Sequence, residues 1–228
     1  MQSLDQSGRV DLLAIRLNKS LLDDKRIMKY FILLNNCSGP PDIQAAVNSE
    51  FDFPSMAAFY KAQATQIVSG VSNSITVDVG PFVLGEYDSG RKAFPFIEAA
   101  GTKRKPVVAE GVGIPHRNIS PPCGDSPGDR WYGPMHGILT ERVSFKRMSF
   151  DDFPLDEISA RNYVSYVSSI HAPQRIVFLR VDIDILENPA RITDYGRGVD
   201  FDGKVTKITV FATRDNQHPT SAIGILFP

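Results

Sequence analysis

Between Gly101 and Gly137 the chain gathers its rarest reactive side chains. Cys123, Asp129 and His136 are the residue types of a thiol nucleophile, an orienting carboxylate and a base, the set that a cysteine hydrolase assembles. His116, Cys123 and His136 are zinc-ligand types, yet the paired-ligand spacing of a structural zinc site is absent. Arg130-Trp131-Tyr132, with His136 close by, offers a different chemistry. Arg, Trp and Tyr are the side chains that most often dominate binding energy, and aromatic rings form platforms for a sugar or a peptide. A hydrolytic set must converge in space, and no helix is expected to begin at Cys123 to depress its pKa. The segment therefore reads as a recognition loop with Arg130, Trp131, Tyr132 and His136 as the contact residues, and with no catalytic residue, metal or cofactor assigned. The plainer alternative is a loop pinned to the body of the protein by its aromatics.

Other constellations have bland explanations. Asp182 and Asp184 lie two apart on a strand pattern beside Arg180, roughly 7 Å from one another by strand rise. Two carboxylates at that separation suit glycoside chemistry, but a ladder of opposite charges on a wet sheet face explains them without any site and is the favoured reading. Asp200-Phe201-Asp202-Gly203 lacks the further ligands of a calcium loop and reads as a turn between strands. Lys103-Arg104-Lys105 reads as a solvated loop tip, and Asn118-Ile119-Ser120 as a glycosylation acceptor that matters only in a eukaryotic secretory route. The Gly-x-Gly fragments at Gly111 and Gly196 lack the strand-then-helix setting of a nucleotide fingerprint. No nucleophile elbow, Walker loop or HExxH motif occurs.

The elements that would position these groups follow from a change of hydrophobic period near Gly70. Before it, apolar residues recur at helical spacing: Val10, Leu13, Ala14 and Leu17 in one segment, with Asp11, Arg16 and Lys19 facing away. A second helix starts with capping-box spacing at Ser20-Leu21-Leu22-Asp23, carries Ile27, Met28, Phe31 and Leu34, and stops at Gly39-Pro40-Pro41. A short third helix fits Asp42 to Val47, and a fourth runs from Pro54 to Gly70. Asp52-Phe53-Pro54 recurs as Asp152-Phe153-Pro154, each before a helical pattern, and reads as helix-opening punctuation.

After Gly70 alternation dominates. Strands are expected over Ser74 to Val79, Phe82 to Tyr87, Lys92 to Phe96, Pro106 to Glu110 and Leu139 to Met148. The strongest spans Arg175 to Leu186, with Val177, Leu179, Val181, Ile183 and Ile185 on one face. A last hairpin joins Lys204–Phe211 to Ala222–Phe227. One helix interrupts, from about Asp156 to Ile170, whose Tyr163 and Tyr166 read as core residues with hydroxyls at the rim. The expected architecture is α+β: a single domain over 1–228, with a helical subregion 1–70 layered on a mainly antiparallel sheet in 74–228 and one further helix near 156–170.

Composition narrows the function classes. A net charge of −1 removes the long-range field that draws a protein onto nucleic acid, so nucleic acid is not an expected partner. No run approaches the apolar length of a bilayer-spanning helix. Met1 to Gly8 is polar and unlike a signal peptide, which leaves a cytoplasmic protein or a periplasmic or secreted one whose leader has been removed. Cys37 and Cys123 are the only two cysteines; paired, they would close a loop worth on the order of 4 to 5 kcal/mol, and unpaired they are two thiols. The expectation is a soluble binding or interaction protein for a protein, peptide or carbohydrate ligand. Its alternative is a hydrolase centred on the 101–137 loop. Oligomeric state is not legible.

Overall fold

The computed structural model describes residues 6–36, 42–99, 103–113, 140–193, 198–213 and 221–227. Among the described residues, five α-helices and a mixed, mostly antiparallel sheet make the fold α+β. The helices are α1 (Gln6–Leu17), α2 (Lys25–Leu34), α3 (Asp42–Asn48), α4 (Phe53–Val68) and α5 (Glu157–Ser169). The strands are β1 (Ser74–Leu84), β2 (Ala93–Ile97), β3 (Val107–Gly113), β4 (Thr140–Phe150), β5 (Asp152–Pro154), β6 (Arg175–Ile185), β7 (Arg191–Thr193), β8 (Gly198–Ala212) and β9 (Ser221–Phe227). Among the described residues the sheet order is β3-β4-β8-β6-β1-β2-β5, with β7 and β9 each paired to β8. One pairing departs from the antiparallel expectation: β4 and β8 run parallel from Thr140↔Gly198 to Ser144↔Asp202. The chain between them contains α5 and β6, long enough for the crossover that a parallel pair requires.

The chain divides into two compact units. The first comprises Met1–Ile75, Gly113–Ser144 and Ile185–Asp202, the second Thr76–Val112, Phe145–Asp184 and Gly203–Pro228, so the divisions fall inside β1, β4, β6 and β8.

In the first unit, α1 is buried around its whole circumference from Val10 to Ile15, not along a single stripe. Asp11, expected to face water, is only 8% exposed; a buried carboxylate needs a partner, and the Tyr30 hydroxyl donates to it at 2.5 Å. Arg16 is likewise drawn inward, donating to the Val71 carbonyl at 2.7 Å, to Glu187 at 2.9 Å and to Asn73. The capping box at Ser20 does not form. Ser20 lies within a 3-10 turn, Lys19–Asp23, capped by Asn18 and anchored by the buried Leu21 and Leu22. Asp24 instead caps α2, accepting from the Arg26 backbone N–H at 2.7 Å. Ile27, Met28, Phe31 and Leu34 are buried, as their spacing requires. On α4 only Phe53, Ala64 and Val68 are buried, and Phe59 stays 55% exposed.

In the second unit, β1 pairs antiparallel with β2 through Val83↔Ile97 and Leu84↔Phe96, and β2 pairs with β5 through Phe94↔Phe153. Asp152–Pro154 is thus a strand, whereas the same tripeptide at Asp52–Pro54 opens α4. Proline has no N–H to lose at a first helical turn and tolerates a short sheet edge equally well, so the partner of the phenylalanine decides. Phe153 is completely buried beside Phe94. On β6 the expected alternation holds: Val177, Leu179, Val181 and Ile183 are at most 4% exposed, while Asp184 faces water. Asp200–Gly203 is not a turn; it lies within β8, and Phe201 is buried.

A candidate ligand pocket at the end of helix α5

The second unit holds a cavity of about 1070 Å³. One wall is the last turn of α5, through Val164, Val167 and Ser168, with Ala172 to Arg175 beyond it; the other is the β1–β2 hairpin, from Val83 to Asp88 and at Pro95 and Ile97, with Arg104 at its margin.

Local sequence chemistry builds each side. Asp156 caps α5, its carboxylate accepting from the Ser159 N–H at 2.9 Å; hydrogen bonding to the Ser159 side chain first, and then to its backbone N–H, holds the carboxyl below the usual carboxylate range. The helix ends where His171 takes a left-handed conformation (φ 52°), with the Ala172 N–H donating to the Val167 carbonyl at 3.2 Å and the His171 N–H to that of Ser168 at 3.1 Å. That double closure satisfies the last carbonyls and turns the chain into β6. The hairpin wall is set by Asp88, which accepts from the Gly90 and Arg91 N–H groups at 2.9 and 3.1 Å, a side-chain turn that Asp-Ser-Gly favours. Gly85 is required by packing: a Cβ there would lie 2.9 Å from the Pro95 ring.

Two bonds tie the helix-end segment to the hairpin side. Arg175 Nη1 donates to the Gly85 carbonyl at 3.0 Å, and Gln174 Nε2 to that of Ala99 at 2.7 Å. Neither Nε nor Nη2 of Arg175 meets an acceptor among the described residues, and the side chain is half-buried without a carboxylate partner. Arg104 makes no side-chain hydrogen bond among the described residues; its nearest acid, Asp152, is 3.7 Å away and also faces Arg91 at 3.2 Å. The acids on the cavity wall are Asp88, engaged by its own turn, and Glu86, which is exposed. Tyr87 donates to the Leu155 carbonyl at 3.0 Å; desolvation first, then Glu157 and Asp156, raise its pKa.

Beside this wall sits a buried polar group with no partner. Tyr163 is 3% exposed, packs edge-on against Phe94 at 5.6 Å, and its hydroxyl makes no hydrogen bond among the described residues. The expectation that this hydroxyl reaches the rim is therefore corrected: the ring lies too deep, and burial pushes its pKa well above the ordinary value.

The residues singled out in the sequence fare differently. Arg130, Trp131, Tyr132 and His136 lie outside the described residues, as do His116, Cys123, Asp129 and Cys37. Asp182 is a structural charge: it accepts from the Thr76 hydroxyl at 2.7 Å, and Arg180 beside it is engaged by Asp78. Asp202 is held by Arg191 at 2.8 Å and by Asn188 at 3.2 Å, which lowers its pKa and leaves no calcium loop. Lys103–Lys105 is exposed, as a solvated segment should be, but its backbone is tied to β2, where the Lys105 N–H donates to the Phe96 carbonyl at 3.0 Å, and Arg104 reaches the cavity wall. No three metal-ligating side chains gather among the described residues. No family model, curated protein or solved structure matches this chain.

Arg104, Gln174 and Arg175 were not legible as site residues. Arg175 carried only the signal of a strand start and Arg104 that of a basic run. The cavity forms because helix end and hairpin meet, a relationship that neither segment states alone.

Proposed function

We propose that this protein binds a small molecule reversibly in the cavity beside the C-terminal end of α5. The observation that carries the reading is the cavity itself. Its volume of about 1070 Å³ sits at the upper end of ordinary ligand sites, which run to about 1,000 Å³. Its lining mixes apolar side chains, Val83, Pro95, Ile97, Val164 and Val167, with polar groups in nearly equal measure, so that both an apolar body and a polar head could be held. Binding is favoured over catalysis because the lining holds no nucleophile paired with a base; Ser168 is exposed and His171 is not on the wall.

The test is a solvatochromic naphthalene dye titrated into wild type and into Ser168→Trp, whose indole would fill the space while its backbone stays on a solvent-facing helix turn. Saturable fluorescence enhancement at one site in wild type, and its loss in a variant with an unchanged thermal midpoint, supports the reading. Equal enhancement in both proteins, or none in either, overturns it.

A further inference from the structure

We infer that the cavity takes a carboxylate attached to an apolar body, and that the carboxylate sits on Arg175. The inference rests on the cavity being a binding site and goes on to name what it binds.

A guanidinium has five N–H donors in a planar fork. Arg175 uses one of its nitrogens on the Gly85 carbonyl at 3.0 Å, which fixes the plane of the group; Nε and Nη2 are left without an acceptor among the described residues. The residue is half-buried against the cavity, and no carboxylate pairs with its guanidinium among the described residues. These N–H groups are donors open to a ligand that enters the cavity. Arg104 adds a second guanidinium at the margin of the facing hairpin wall, with no side-chain hydrogen bond among the described residues and its closest acid, Asp152, 3.7 Å away. A planar, bidentate acceptor with a single negative charge matches the unused fork. Val83, Ile97, Val164, Val167 and Pro173 bound the rest of the space and call for an apolar remainder. Glu86 on the wall is exposed, so its charge is screened by water and disfavours anions only weakly.

The competing account is that Arg175 is a strut whose single bond to Gly85 pins helix to hairpin. A strut affects stability but has no preference among ligands. The deciding experiment is calorimetric titration of wild type, Arg175→Gln and Arg104→Gln with octanoate and 3-phenylpropionate and with the corresponding neutral amides, octanamide and 3-phenylpropanamide. The expected result is that each acid binds wild type about tenfold or more tightly than its amide, the worth of charged hydrogen bonds, and that the preference disappears in Arg175→Gln. Arg104→Gln should reduce it by a smaller factor. Acids and amides binding wild type equally would overturn the carboxylate assignment while leaving the cavity a ligand site. Neither class binding at millimolar concentration, with the naphthalene dye still captured, would also overturn it. The wild-type ratio is read without any variant, so the proposal stays testable if Arg175→Gln fails to fold.

Discussion

Arg180 on β6 grips Asp78 on β1 through two parallel hydrogen bonds, Nε to Oδ1 at 2.7 Å and Nη2 to Oδ2 at 2.8 Å, while its guanidinium lies 4.5 Å from the centre of the Phe211 ring. The carboxylate raises the pKa of the guanidinium, and both side chains are partly exposed. A lysine keeps the charge but neither the fork nor the flat face that rests on Phe211. Arg180→Lys should therefore lower stability by about 1 kcal/mol in urea denaturation, whereas Asp182→Asn, which keeps an acceptor for Thr76, should stay within about 0.5 kcal/mol. Val181 points to the opposite, buried face at 4% exposure, so Val181→Asp should cost about 3 kcal/mol or more by burying an unpaired charge. Equal midpoints for Val181→Asp and wild type would mean that the two faces of β6 are exchanged.

Gly224 on β9 lies against Phe153 on β5. A Cβ at Gly224 would stand 2.7 Å from Phe153 Cζ and 3.1 Å from Leu155 Cδ1, and Phe153 is fully buried. Gly224→Ala should destabilise by about 1 to 3 kcal/mol, and Phe153→Leu in the same chain should recover part of that loss. Additive losses in a double-mutant cycle would show that the two positions do not touch.

His171 bears a Cβ in a left-handed conformation that glycine adopts freely (φ 52°). His171→Gly should raise stability by about 0.5 to 1 kcal/mol, and His171→Val should lower it, because a β-branched side chain is the worst fit to that conformation. Thermal melts of the three proteins check the order, and a glycine variant that melts below wild type would reveal a contact of the imidazole that outweighs the strain.

Two helix caps link stability to acid. The Asp24 carboxyl is held below its ordinary value first by its hydrogen bond with the Arg26 side chain, and the Asp156 carboxyl first by its bond with Ser159. The folded values lie under the unfolded one, so each cap stabilises fully above about pH 4 and loses that contribution as the pH falls through its depressed folded value. Asparagine caps a helix without titrating. Asp24→Asn and Asp156→Asn should each melt slightly below wild type at neutral pH, and the gap should close in acid. A gap that stays constant down to pH ~2 would assign the acid loss to other carboxylates.

How far the fold was legible depended on how local the signal was. The alternation along Arg175–Ile185 and the helical stripe from Ile27 to Leu34 are carried by a single segment each, and both reappear as buried faces. Asp11 was misread because helical periodicity assumes one buried face, and α1 is enclosed on all sides from Val10 to Ile15. The Ser20 motif has the letters of a capping box, yet Leu21 and Leu22 gain more by burial in a 3-10 turn than Ser20 gains as a cap.

What the sequence determined by itself is the type of the longer elements and the buried stripe of those with one apolar face, since both are set by backbone propensity and hydrophobic spacing within a few neighbours. Tertiary structure alone decided the parallel pairing of β4 with β8, the strand fate of Asp152–Pro154, and the meeting of Arg175 with Gly85 across 90 residues of chain. These depend on which distant surface arrives to bury a ring or accept a proton. No local spacing encodes that partner, which is why the cavity beside α5 could be found only after the chain had folded.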